Sequence, residues 1–97
     1  MVITVLEADV ADSHLQDLET AYRDALTALP PGLVETFLVR DSSSSTSCRI
    51  ITVWASREDL ERMRSSGEKP KGVQVFEAAG ATPTLSVLEV VAHGRSA

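Results

Sequence analysis

The chain has 97 residues, 43% hydrophobic and 24% charged, with a formal net charge of −5. This is one domain of ordinary globular composition, short enough that association is a common remedy for a small core. The negative balance and the scatter of nine Lys and Arg residues argue against a nucleic-acid partner, and a single cysteine rules out an internal disulfide or a thiolate metal cluster.

Met1 to Ala8 is rich in Val, Ile and Thr and reads as a first strand. Ala11-Asp12-Ser13 breaks it. Either Asp12, or Ser13 with Gln16 at capping-box spacing, would open a helix. Leu15, Leu18, Tyr22, Ala25, Leu26 and Leu29 recur at three- and four-residue steps, so one helix face is apolar. Pro30-Pro31-Gly32 stops it, because proline lacks the amide and clashes with the preceding turn. Leu33 to Arg40 reads as a second strand, and the polar run Asp41 to Ser47 as a mobile hairpin loop.

Cys48 to Trp54 is a third strand, dominated by β-branched and aromatic residues. Ser56 follows at once as a helix N-cap, with Asp59 placed to donate its amide and to favour the positive end of the helix. Leu60 and Met63 face inward, and this helix should end near Gly67. Glu68 to Gly72 reads as a linker. Val73 to Ala79 fits a short helix with Val73, Phe76 and Ala79 on one side, or an extended segment. Thr84 to Ala92 is a last strand, and 93–97 a frayed tail after a single domain spanning 1–92.

The order β-α-β-β-α-β is the ferredoxin-like α+β pattern, with a four-stranded antiparallel sheet. In the third strand Cys48, Ile50, Thr52 and Trp54 point one way while Ile51 and Val53 point the other. The first and last strands are apolar on both faces too. Helices cover only one face, and leaving the other wet forgoes roughly 1.5–3 kcal/mol per large side chain. A homodimer through the open sheet face is expected.

The strand order and the run Thr-Val-Trp-Ala-Ser-Arg-Glu-Asp-Leu (residues 52–60) resemble the dimeric α/β-barrel superfamily, and within it the antibiotic-biosynthesis-monooxygenase-like branch. The resemblance covers residues 1 to about 92. It implies two sheets closed into a barrel, one pocket per subunit between sheet and helices, and cofactor-independent oxygenation of flat quinol, anthrone or polyketide-like substrates. The alternative is a non-catalytic binding or accessory protein of the same fold. Some members use a pocket Asn, and this chain has none. Haem-degrading members use a Trp where Met63 stands here and a His further on, which is missing between Met63 and Ala92.

Tyr22, on the inward stripe, is a candidate donor to a phenolic substrate, and His14, in a first helical turn, a candidate neutral base. Glu7, Glu35 and Glu89 sit within strands, with Arg40 and Arg49 available as partners. Trp54 reads either as the aromatic wall of the pocket or as a plug holding strand to helix. Thr52, Met63 and Phe76 complete the expected substrate-binding set. The two histidines lack acidic residues at ligand spacing, so no metal is expected, and no glycine pattern cradles a phosphate, so no cofactor is expected. The lone cysteine fits a cytoplasmic protein. The strand-like start gives no signal peptide, and no apolar run approaches the ~20 residues of a membrane span.

Overall fold

The computed structural model describes residues 1–96. Its elements are β1 (Val2–Asp9), α1 (Leu15–Ala25), β2 (Leu33–Asp41), β3 (Ser44–Trp54), α2 (Arg57–Arg64), α3 (Lys71–Ala78) and β4 (Thr84–Glu89). The strands form one antiparallel sheet in the order β2-β3-β1-β4. This is the ferredoxin-like layout, with the second crossover made of two short helices.

Local chemistry explains most boundaries. Ser56 caps α2, accepting from the Asp59 amide at 3.1 Å and donating its own hydroxyl to Asp59 Oδ2 at 2.9 Å. Gly32 has φ +86, and a Cβ there would sit 2.3 Å from Asp59 Cγ. Its carbonyl accepts from the Ala55 amide at 2.9 Å, so this glycine seats the entry to β2 against the β3–α2 junction.

Several boundaries differ from expectation, among them α2, which ends at Arg64 rather than near Gly67. α1 begins after a 3-10 turn at Asp12–His14, with His14 at its N-cap and no side-chain cap, so neither Asp12 nor Ser13 plays that part. α1 ends at Ala25, and loose turns carry the chain from there to Pro30. The serine run is mostly strand: β3 starts at Ser44 because Asp9 pairs with Ser47 and the Val10 amide donates to Thr46 O at 2.8 Å. Only a tight turn at Asp41–Ser44 remains, held by the Ser43 amide and hydroxyl on Asp41 Oδ1. The linker ends two residues early, since Lys71 and Gly72 already belong to α3, and the helical reading of Val73 to Ala79 holds. β4 stops at Glu89; 90–96 have no regular structure, and Ala97 lies outside the described residues.

The register sorts the side chains into rows. On the helix face run Leu38, Ile50, Leu6 and Leu85; then Thr36, Thr52, Thr4 and Val87; then Leu33, Trp54 and Val2. Two buried clusters flank the middle row. One gathers Val10, Leu18, Cys48, Ile50, Val75, Phe76 and Ala79 under α1 and α3. The other is Val2, Trp54 and Leu60, with Leu33, Met63 and Val87 against it. On the opposite face, Phe37, Ile51 and Val5 lie side by side, next to Val53, Ile3 and Leu88. Phe37 and Leu88 are about half exposed there. Glu7 and Arg49 pair across that face at 3.3 Å, and Glu89 pairs with Arg57 at 3.0 Å. No helix among the described residues is long and apolar enough to cross a membrane.

Candidate functional site

Between the two clusters the helices do not close on the sheet. A cavity of about 530 Å³ opens there. Its floor is the threonine row, with Leu6 and Leu85 on one side and Leu33 and Trp54 on the other. α1 and its following turn supply Tyr22, Ala25, Leu26 and Leu29; α2 supplies Leu60 and Met63; α3 supplies Gly72, Val73 and Val75. The glycine at 72 lets α3 approach the sheet: a Cβ there would lie 2.6 Å from Leu6 Cδ1.

Polar groups inside are few and form two hydrogen-bonded sets. Trp54 Nε1 donates to Thr4 Oγ1 at 3.1 Å. The Tyr22 hydroxyl donates to Thr36 Oγ1 at 3.2 Å, and Thr36 and Thr52 share a hydrogen bond at 3.3 Å. Trp54 is buried in its cluster and lines the cavity as well, so its two expected roles fall to one side chain. The Tyr22 proton is directed at Thr36, which leaves the phenol oxygen as an acceptor toward the cavity.

Charges sit at the mouth. Arg62 pairs with Asp59 at 2.8 Å, Arg64 with Glu61 at 3.6 Å, and Lys69 with Glu77 at 2.9 Å. The Lys71 ammonium bonds the Ala28 carbonyl. Such exposed pairs contribute little stability.

Of the expected site residues, Tyr22, Thr52, Trp54 and Met63 line this cavity. The other two lie elsewhere. Phe76 is fully buried in the packed cluster, because α3 turns Phe76 and Val75 into the core. His14 is exposed at the start of α1, bonded to Asp17 at 3.1 Å. His93 does not line the cavity either. Cys48 lies in the packed cluster, where burial pushes its thiol pKa up; Arg40 opposes that effect and Asp9 adds to it, so it is a neutral core residue at neutral pH. No group of three His, Cys, Asp or Glu close enough to hold a metal occurs among the described residues.

Thr4, Thr36, Leu26, Leu29 and Gly72 carry no functional signal in the sequence. β1, β2 and β3 each bring a threonine to the inward face at the same level of the sheet. Only the register shows that the three form a row.

An antiparallel sheet with an apolar cavity beneath its helices defines a ferredoxin-like α+β domain with room for a small ligand. A profile of the antibiotic biosynthesis monooxygenase family matches residues 1–75, and the chain belongs to that family. No curated protein matches. Among solved structures, a Deinococcus radiodurans protein assigned to the same family superposes with TM-score 0.75 at 16% identity, covering 100% of this chain and 99% of that one. SnoaB of Streptomyces nogalater, a cofactor-independent oxygenase, superposes with TM-score 0.71 at 19% identity, covering 95% and 94%. MhuD, in a mutant form with two manganese protoporphyrin IX molecules per active site, gives TM-score 0.70 at 18% identity, covering 99% and 100%. At these identities the superpositions speak for the fold.

Proposed function

We propose that this protein is a cofactor-independent monooxygenase that oxidises a flat, electron-rich aromatic of the anthrone or hydroquinone kind. The observation that carries the reading is the cavity: apolar walls suited to fused rings, an indole at one end, and a row of three threonines on the floor. Family membership and the likeness to SnoaB support it.

The chemistry needs little from the protein. For an anthrone, Tyr22 accepts a hydrogen bond from the enol hydroxyl of the substrate, which favours the electron-rich tautomer. The ring carbanion or its radical equivalent takes up dioxygen at the methylene carbon. One oxygen atom stays as the new carbonyl, the other leaves as water with the two methylene hydrogens, and both electron pairs come from the substrate. The apolar walls position the ring and keep water out.

A binding or accessory role without turnover is the second reading. What favours it is that the ionisable side chains of the lining other than Tyr22 are exposed at the mouth or, like Asp59, already engaged by Ser56 and Arg62. Oxygen uptake with a panel of anthrones and hydroquinones, on chelator-treated protein without added flavin, decides between them. Uptake above buffer supports the enzyme; saturable binding with no uptake supports the accessory role.

The outer face of the sheet, with Phe37, Ile51, Val5, Val53, Ile3 and Leu88, supports a homodimer as the working form. Light scattering should give twice the chain mass at micromolar concentration. Ile51→Lys should return the mass to that of one chain.

A further inference from the structure

The threonine row does more than satisfy its neighbours. Five donor hydrogens meet on the cavity floor: the Tyr22 and Trp54 donors and the hydroxyls of Thr4, Thr36 and Thr52. Three are used, by Trp54 on Thr4, by Tyr22 on Thr36, and within the Thr36–Thr52 pair. That leaves the Thr4 hydroxyl proton, and one from the Thr36–Thr52 pair, with no acceptor among the described residues. Thr4 and Thr52 are register partners on adjacent strands, both more than nine-tenths buried, and both line the cavity. A buried hydroxyl proton without an acceptor is costly, and two on adjacent strands invite an acceptor from outside.

We infer that this row is the subsite for a hydrogen-bond-accepting oxygen of the ligand, a ring carbonyl or its enolate. The row thereby selects oxygenated aromatics over hydrocarbons of the same shape. The inference rests on the reading of the cavity as an aromatic-ligand site and adds which edge of the ligand meets the sheet. The flat body then lies between Trp54 and the roof, its oxygen toward Thr4 and Thr52. Leaving donors unmatched is what makes such a site reject the analogue without the oxygen.

The test is a titration of Trp54 fluorescence with anthrone, which carries one ring carbonyl, and with 9,10-dihydroanthracene, which has none. Trp54 is the single tryptophan, so the signal reports this site. The wild type should favour anthrone by roughly tenfold, from two hydrogen bonds of ordinary net strength. Thr52→Val should lower that preference about threefold and Thr52→Ser should keep it, while Thr36 stays in place to hold the Tyr22 hydroxyl. Thr4 is left in place because its loss would strand the Trp54 N–H. Equal binding of the two ligands by the wild type overturns the subsite and leaves the aromatic cavity standing. An undiminished preference in the valine variant also overturns it. If neither ligand binds, the aromatic-ligand reading falls and the subsite with it. The wild-type comparison needs no variant to fold.

Discussion

The packed end and the open middle of the helix-covered sheet face share the same strands and differ in what stands above them. At one end α1 and α3 pack directly on Ile50 and Cys48, and Phe76 and Val10 are essentially without exposure. Over the middle row, before the Val2, Trp54 and Leu60 cluster is reached, α1 runs out, α2 is two turns long, and the floor turns from aliphatic to hydroxyl. Packed side chains there would have closed the gap; small threonines and a short helix keep it open. The stability of this fold is therefore concentrated in the packed clusters and its ligand chemistry in the middle row between them. Substitutions should separate accordingly.

The largest expected effect is at the packed end. Phe76→Ala should cost about 3–5 kcal/mol in urea unfolding, since a fully buried ring leaves a void that its neighbours fill only in part. Tyr22→Phe reverses the pattern: oxidation of an anthrone should slow by about tenfold, as for loss of one positioned hydrogen bond to the substrate, while stability changes by about 1 kcal/mol. Loss of both properties in either variant would erase the division of labour between the two regions. Leu29→Ala, at a residue 45% exposed on the cavity wall, should leave stability within about 0.5 kcal/mol and weaken aromatic binding several-fold.

The smallest effect lies outside both regions and serves as a control. The Ser43 amide and hydroxyl hold the Asp41 carboxyl below its ordinary pKa. Its folded value being depressed, its contribution is present above about pH 4, the unfolded value, and fades as pH falls through the folded one. Asp41→Asn should therefore be slightly less stable than wild type at pH 7, and the difference should shrink by about pH 3. The measurement is parallel urea denaturation at the two pH values, with anthrone affinity at neutral pH unchanged.

How much of this is legible in the sequence follows the same division. The β3–α2 junction can be read because Ser56 and Asp59 act locally, and a cap needs no tertiary context. The two-faced alternation of β3 can be read because the strand period is fixed at two. The side of the helix that carries Phe76 and Ala79 is legible in the sequence, but whether it packs into the core or lines the cavity is decided only when the helix docks. The serine run reads as a loop because its composition is polar, and pairing with β1 overrides that preference. His14 has suitable chemistry, but it stands more than two helical turns before Tyr22, the first α1 residue on the cavity wall. The threonine row, which defines the floor, depends on inter-strand register, and no single strand encodes that.

The central claim is that the open middle transfers an oxygen atom to an aromatic ring. Anthrone incubated with the protein under ¹⁸O₂, followed by mass spectrometry of the product, tests it most directly. The account predicts anthraquinone carrying one ¹⁸O atom, formed faster than in buffer and slowed by Tyr22→Phe. Quinone formed no faster than in buffer, or with its new oxygen drawn from water, would contradict it.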